Sequence, residues 1–263
     1  MDKMTLLELT QDILSSMDSD EVNSINDTVE AVQVAAIIRN TYRAMLTNRD
    51  WPHTKRLIEL EASGNSALPT HMSIIDDVKK IDFVKYNVAK ASDGSKRKFN
   101  DIHWLEVDDF LRRLNALDNT KSNIVTVIDP TSNIPLSIRS DLAPTYYTSF
   151  DDSNIVFDSF DSSVDSTLQK SKTQVYGYVY PEWSMTDAYI PDLPNTAFTL
   201  LLEESKSRAF VELKQIANQK AEQEAQRQNS WLSRRDRRIK GGIRFPDYGR
   251  RTTLGRYRFP DTP

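Results

Sequence analysis

Ten basic residues crowd the last 33 positions of the 263-residue chain: Arg234, Arg235, Arg237, Arg238, Lys240, Arg244, Arg250, Arg251, Arg256 and Arg258. Asp236, Asp247 and Asp261 are the acids among them, so residues 231–263 carry +7. The whole chain carries −4, which leaves −11 on residues 1–230. Trp231, Phe245, Tyr248, Tyr257 and Phe259 are spaced through the same segment, with glycines and prolines between them and no period of 3.6 or 2. Guanidinium groups bind carboxylates or phosphates in a bidentate fork and stack on aromatic rings. Arginine and the aromatics are also the side chains most enriched at protein interfaces. A segment this charged and turn-rich buries too little apolar surface to fold alone. The expectation is an arm, 231–263, that orders on a partner. Its binding residues are Trp231, Arg234, Arg235, Arg237, Arg238, Arg244, Phe245, Tyr248, Arg250, Arg251, Arg256, Tyr257 and Phe259.

Three chemistries compete for the Arg234-Arg235-Asp236-Arg237-Arg238 cluster. It can dock on acidic protein surface. It can neutralise phosphates while nearby rings stack on bases. It can also be a solvated helix end, where positive charge favours the dipole. The aromatics argue against the last. The acidic remainder of the chain weakens the second, since dedicated DNA binders are basic overall. Protein docking is the favoured reading, with nucleic-acid binding through the basic tail as the alternative.

Elsewhere, little is spaced for catalysis. His53, His71 and His103 are the three histidines, and none lies at i, i+4 to another or near a well-placed carboxylate pair in sequence. The pairs Asp76-Asp77, Asp108-Asp109 and Asp151-Asp152 are adjacent, which on a strand sends the two side chains to opposite faces. Asp108-Asp109 also falls at a helix start, where acids favour the dipole. No phosphate loop, GxGxxG, GxSxG or HExxH occurs. With no cysteine there is no disulfide, no thiolate chemistry and no cysteine-ligated zinc. The expectation is a protein with no catalytic residues, no metal, no cofactor and no enzymatic activity. No stretch approaches the ~20 apolar residues of a membrane span, and the first 30 residues lack a signal-peptide pattern. A protein of the cytoplasm, or of a particle assembled there, follows.

The elements that must position these residues are legible in outline. Thr5 and Glu8 form a capping box before Leu6, Leu9, Ile13 and Leu14, giving a helix to about Ser16. A polar loop over 17–26 leads to a second helix, capped by Asn26 or Asp27 and ending near Arg49, where Asp50-Trp51-Pro52 stops it. Val29, Val32, Ala36, Tyr42 and Met45 mark its expected buried side. Strands are predicted over 55–62, 82–87, 124–128, 136–139, 154–157 and 174–180, with a helix over 107–117. The Asp- and Ser-rich stretch 151–172 reads as an exposed loop or long hairpin. A last helix opens at Asn195 or Thr196 and runs unbroken to about Arg238, roughly 60 Å if straight. Phe198, Leu201, Leu202, Ala209, Phe210, Leu213 and Ile216 form its apolar stripe, while 219–229 has little but alanine to bury. Trp51, Trp104 and Trp183 read as packing anchors. Trp231 lies past the polar run, where a neighbouring chain is expected to bury it.

The predicted fold is α+β: an antiparallel helical bundle with an inserted small antiparallel β domain and an extended C-terminal arm. The boundaries are 1–51 with 193–230 for the bundle, 52–192 for the β-rich insertion and 231–263 for the arm.

Several segments resemble the head-to-tail adaptors of short-tailed bacteriophages, the tail tubular protein A family. They are the loop Val22-Asn23-Ser24-Ile25, the helix end Asn48-Arg49-Asp50-Trp51-Pro52, the stretch from Pro144 to Asp152, the strand after Asn154 and the helix from Asn195. The likeness spans most of 5–230 without an invariant motif and leaves out the terminal arm. It implies a virion protein that forms a ring, a dodecamer in the family, between the portal protein and the tail nozzle protein. DNA would pass through the lumen without specific binding, and the membrane would play no part. The acidic 1–230 suits a channel lining that repels phosphate, and the basic arm suits an acidic portal surface.

Overall fold

The computed structural model of the protein describes residues 3–90, 94, 96–151 and 153–241, and for 235–241 the backbone alone. Its helices are α1 (Leu6–Ser16), α2 (Val29–Asn48), α3 (Val107–Asn115), α4 (Phe198–Lys214) and α5 (Gln219–Gly241). Its strands are β1 (Lys55–Ile58), β2 (Leu60–Ala62), β3 (His71–Ile74), β4 (Val78–Asn87), β5 (Phe99–Trp104), β6 (Ile124–Ile128), β7 (Pro135–Arg139), β8 (Tyr146–Thr148), β9 (Asn154–Phe157) and β10 (Thr173–Val179). The chain divides into two compact units, Met1–Thr41 with Thr186–Pro263, and Tyr42–Met185.

In the first unit the capping box forms as its sequence predicts. Glu8 N–H donates to Thr5 Oγ1 at 3.2 Å, and Thr5 N–H to Glu8 Oε2 at 2.7 Å. Leu6, Leu9, Ile13 and Leu14 are buried along one face of α1. The loop after α1 is anchored from a distant part of the chain. Asp187 Oδ1 accepts from Ile25 N–H at 2.8 Å and from Ser24 Oγ at 3.2 Å. Helix α2 takes Thr28 rather than Asn26 or Asp27 as its cap, Thr28 Oγ1 accepting from Ala31 N–H. Asp27 instead closes the preceding loop, accepting from the amides of Asn23 and Ser24. The expected buried side of α2 holds at Tyr42 and Met45 but not at Val29 and Val32. Ala31, Val34, Ala35, Ile38 and Tyr42 are buried, while Val29 is 76% exposed.

The predicted single last helix is two. Gln215 adopts a left-handed conformation (φ 56) and its N–H donates to Phe210 O, which ends α4. Asn218 Oδ1 then accepts from Ala221 N–H and starts α5. The polar run of α5 folds back on α4 through Ala221, Ala225 and Leu232, each about 2% exposed. Small alanines let the two helix axes approach closely, so the run is neither projecting nor bare. Helix α5 continues through Trp231 to Gly241, close to the predicted helix end near Arg238. Arginine, lysine and leucine there are good helix formers, and no glycine or proline intervenes before Gly241.

The second unit overturns the expected architecture. The core is an eight-stranded sheet, ordered β1-β10-β4-β5-β8-β9-β3-β2, and not a helical bundle carrying a small antiparallel insertion. The sheet is mixed, because β5 and β8 run parallel across the crossover that contains α3, β6 and β7. It is nearly closed and barrel-like. Its edge strands β1 and β2 are consecutive in the chain with Glu59 alone between them, so the predicted strand 55–62 is split between the two edges. Ile58 and Leu60, either side of that break, both enter the core with Met72, Val84, Ile102, Phe110, Ile138, Phe157 and Val175. Each such side chain contributes about 1.5–3 kcal/mol by leaving water. The pair β6 and β7 forms a separate two-stranded sheet. Residues 151–172 are not an exposed loop: Ile155, Val156, Phe157, Phe160 and Leu168 are buried in the same core.

Lys79 of β4 closes the end of α2. Its ammonium donates to the carbonyls of Leu46 at 2.7 Å and Arg49 at 2.8 Å, which the helix itself leaves without partners. Trp51 is buried and its Nε1–H donates to Met45 O at 3.0 Å. Trp183 packs on Tyr42 with ring centroids 5.1 Å apart. Trp104 is no core anchor: it is 46% exposed, edge-on to Tyr147.

Candidate partner-binding surface

Helix α5 has two stripes. At 3.6 residues per turn, Ala221, Ala225, Gln228 and Leu232 share one side, which packs on α4. Glu224, Arg227, Trp231 and Arg234 share another, roughly 110° around the helix. Trp231 is 48% exposed, and Arg227 and Arg234 are exposed. These side chains, with Gln228 and Ser230, line an open groove along the helix. Glu224 organises it, accepting from Gln228 Nε2 at 2.6 Å and facing Arg227 Nη1 at 3.6 Å. Both bonds are at the surface, so they orient side chains more than they stabilise. On α4, burial pushes the Glu203 carboxyl up, Lys206 opposes that, and Asp12 and Glu224 add to it.

Of the thirteen residues expected to bind a partner, Trp231 and Arg234 are brought together on this stripe. Arg235, Arg237 and Arg238 continue the α5 backbone, and their side chains lie outside the described residues. Arg244, Phe245, Tyr248, Arg250, Arg251, Arg256, Tyr257 and Phe259 lie outside the described residues altogether.

The sheet unit contains a buried titratable pair that spacing alone concealed. His71 Nε2 stands 3.3 Å from Asp129 Oδ1, 58 residues away, both about 5% exposed. Asp129 Oδ2 also accepts from Ser132 N–H and Ser132 Oγ, each at 2.7 Å. Burial pushes the imidazole of His71 down, outweighing the upward pull of Asp129 and Asp151. Burial pushes Asp129 up, but the Ser132 bonds and His71 together hold its carboxyl below the usual range. Neutral His71 therefore donates from Nε2, and its buried Nδ1 has no hydrogen-bond partner among the described residues. The carboxylate sits between the Ser132 hydroxyl and the imidazole, and it is the carboxylate that accepts from the hydroxyl. Nucleophilic catalysis needs the imidazole in that middle place. The pair ties the turn after β6 to β3.

Members of the acidic pairs meet cations or amides within the fold. Asp76 pairs with Arg56 at 2.8 Å, Asp108 and Asp109 pair with Arg112, and Asp151 accepts from the amides of Ser153 and Asn154. Asp152 lies outside the described residues. Among the described residues no group of three or more His, Cys, Asp or Glu side chains could hold a metal ion, and no helix is long and apolar enough to cross a membrane. An open concavity of about 640 Å³ between β3, β4 and β8 is lined mainly by Ile74, Val78, Ile81, Tyr147 and Ile155.

No family model matches the sequence, and no curated protein matches it.

Proposed function

We propose that the protein is a structural subunit of a short-tailed phage particle, one copy of an adaptor ring between the portal and the tail nozzle. Its work is docking, and it catalyses nothing. The observation that carries this reading is the exposed Arg227–Trp231–Arg234 stripe on α5. It lies where the +7 segment begins, on a helix whose other side is already packed on α4. Tryptophan and arginine are the side chains that carry most binding energy at protein interfaces. Repeated around a ring, even a weak contact of this kind adds up through effective concentration. The segments resembling the adaptor family, and the −11 charge of residues 1–230 as a lining that does not hold DNA, lend further support. The test is retention of the full-length protein on immobilised portal protein encoded in the same genome. Trp231→Ala and Arg234→Glu are each expected to weaken retention by tenfold or more, about 1.4 kcal/mol. Undiminished retention of both variants would remove the stripe from the docking surface.

A further inference from the structure

The outer face of the barrel-like sheet carries a row of rings that the docking stripe does not use. Leu57 of β1, Tyr176 of β10 and Phe83 of β4 stand directly opposite one another across three strands. They alternate with the core residues Ile58, Val175 and Val84, so they point away from the core. Phe83 stacks on Tyr176 with centroids 5.5 Å apart and planes at 29°. On the next two strands, exposed His103 of β5 pairs with Tyr146 of β8, their rings 6.3 Å apart. Five strands at about 4.8 Å spacing make this row about 19 Å long.

Every one of these tyrosine and phenylalanine rings carries a cation. Lys55 Nζ lies 5.0 Å from the Tyr176 centroid, Lys85 Nζ 5.3 Å from Phe83, and Arg113 Cζ 4.5 Å from Tyr146. Each of these three cations has a carboxylate beside it: Asp82 pairs with Lys55, Asp101 lies 3.0 Å from Lys85, and Asp158 lies 3.6 Å from Arg113. Lys96, Arg97 and Lys98, all exposed, precede β5 at its far end, five to seven residues before His103. The excess positive charge therefore comes from Lys96, Arg97 and Lys98, at one end of the face.

We infer that this face binds single-stranded nucleic acid. Bases stack on Tyr176, Phe83 and Tyr146, displacing the ammonium and guanidinium groups from the ring faces to the phosphates. Stacking on a sheet of aromatics with a cationic border tolerates any sequence, because every base has a flat face. A duplex offers its phosphates but hides those faces in the helix, so a single strand is preferred. A protein partner fits less well. Lysine is depleted at protein interfaces, and here Lys55 and Lys85 lie directly over the rings.

Fluorescence anisotropy tests this on the full-length chain, with a labelled oligothymidine about 16 nucleotides long and a duplex of equal length as probes. The single strand is expected to bind more tightly. Phe83→Leu and Tyr176→Leu keep the apolar bulk and lose the π face, and each should weaken the single-strand complex at least about fivefold. Phe83→Tyr and Tyr176→Phe, which keep a ring, should bind as the parent does, so a folding defect is told apart from a lost stack. Replacing Lys96, Arg97 and Lys98 by glutamine should flatten the slope of log affinity against log salt by about 2. The basic C-terminal segment is the same in all these proteins, so the differences report the sheet face alone. Absence of single-strand binding would overturn the inference. So would affinity indifferent to the leucine variants, or leucine variants that change self-association while oligonucleotide binding stays constant.

Discussion

Replacing Gly177 by alanine is expected to be among the most damaging one-methyl changes available in the sheet. Gly177 lies in β10, opposite Ile81, at a register shift between β10 and β4. A Cβ there would run into the Lys80 carbonyl oxygen and stand 2.9 Å from Ile81 Cα and 3.1 Å from Ile58 Cδ1. The first two are backbone atoms of the neighbouring strand, which no rotamer change can move aside. Overpacking of this kind costs about 1–3 kcal/mol, and the rigid neighbours place Gly177→Ala near 3 kcal/mol. Parting β10 from β4 also weakens ladder bonds worth about 1 kcal/mol each. Gly64→Ala is the control, since Gly64 has φ +65 and, among the described residues, no atom lies within 4 Å of the added methyl. It should cost about 1 kcal/mol, from the left-handed backbone alone. Urea unfolding followed by tryptophan fluorescence reads both. At an m-value of about 2–3 kcal/mol per molar, Gly177→Ala should lower the midpoint by about 1 M or more. A midpoint equal to the parent's, or no lower than that of Gly64→Ala, would refute the close packing of β10 on β4.

Three further outcomes follow from particular contacts. Thr5→Ala removes the α1 cap and should cost about 1 kcal/mol in the same urea assay, with faster amide exchange in the first turn. His71 titrates below its ordinary value when folded, so the unfolded chain binds the extra proton. Its contribution is complete above about pH 6.5 and is lost as pH falls through the folded value. His71→Gln should flatten urea midpoints measured between about pH 7 and pH 5, and an unchanged profile would contradict the buried pair. The Glu203 carboxyl is raised when folded, so the native state gains relative stability as pH falls toward that group's unfolded value. Glu203→Gln should raise the urea midpoint at neutral pH, and a lowered midpoint would count against burial of that charge.

Local signals were readable where side chains act on near neighbours. The Thr5–Glu8 box, α3 and the strands β6 and β9 follow from residues within a few positions of one another. Three kinds of feature were not local. The break at Glu59 looks like continuous alternation, because Ile58 and Leu60 keep facing the core while the chain changes edges. Gln215 ends α4 in a left-handed conformation usually taken by glycine, so no punctuation marked the turn. Strand β8 is three residues long and pairs in parallel with β5, more than 40 positions earlier, which no period of two announces. The proposed binding site was legible in composition, as a run of arginine and aromatics. Its placement was not, since folding α5 back on α4 decides which of its faces remains for Trp231 and Arg234. The His71–Asp129 pair and the Leu57–Tyr176–Phe83 row depend on strand register and were invisible for the same reason.

The central claim, a docking subunit that assembles into a ring, is tested most directly by native mass spectrometry of the full-length protein, alone and mixed with portal protein from the same genome. The account predicts a discrete complex in which many copies join one portal assembly, with fewer copies retained when Trp231 is alanine. A protein that stays monomeric and leaves the portal mass unchanged would contradict it.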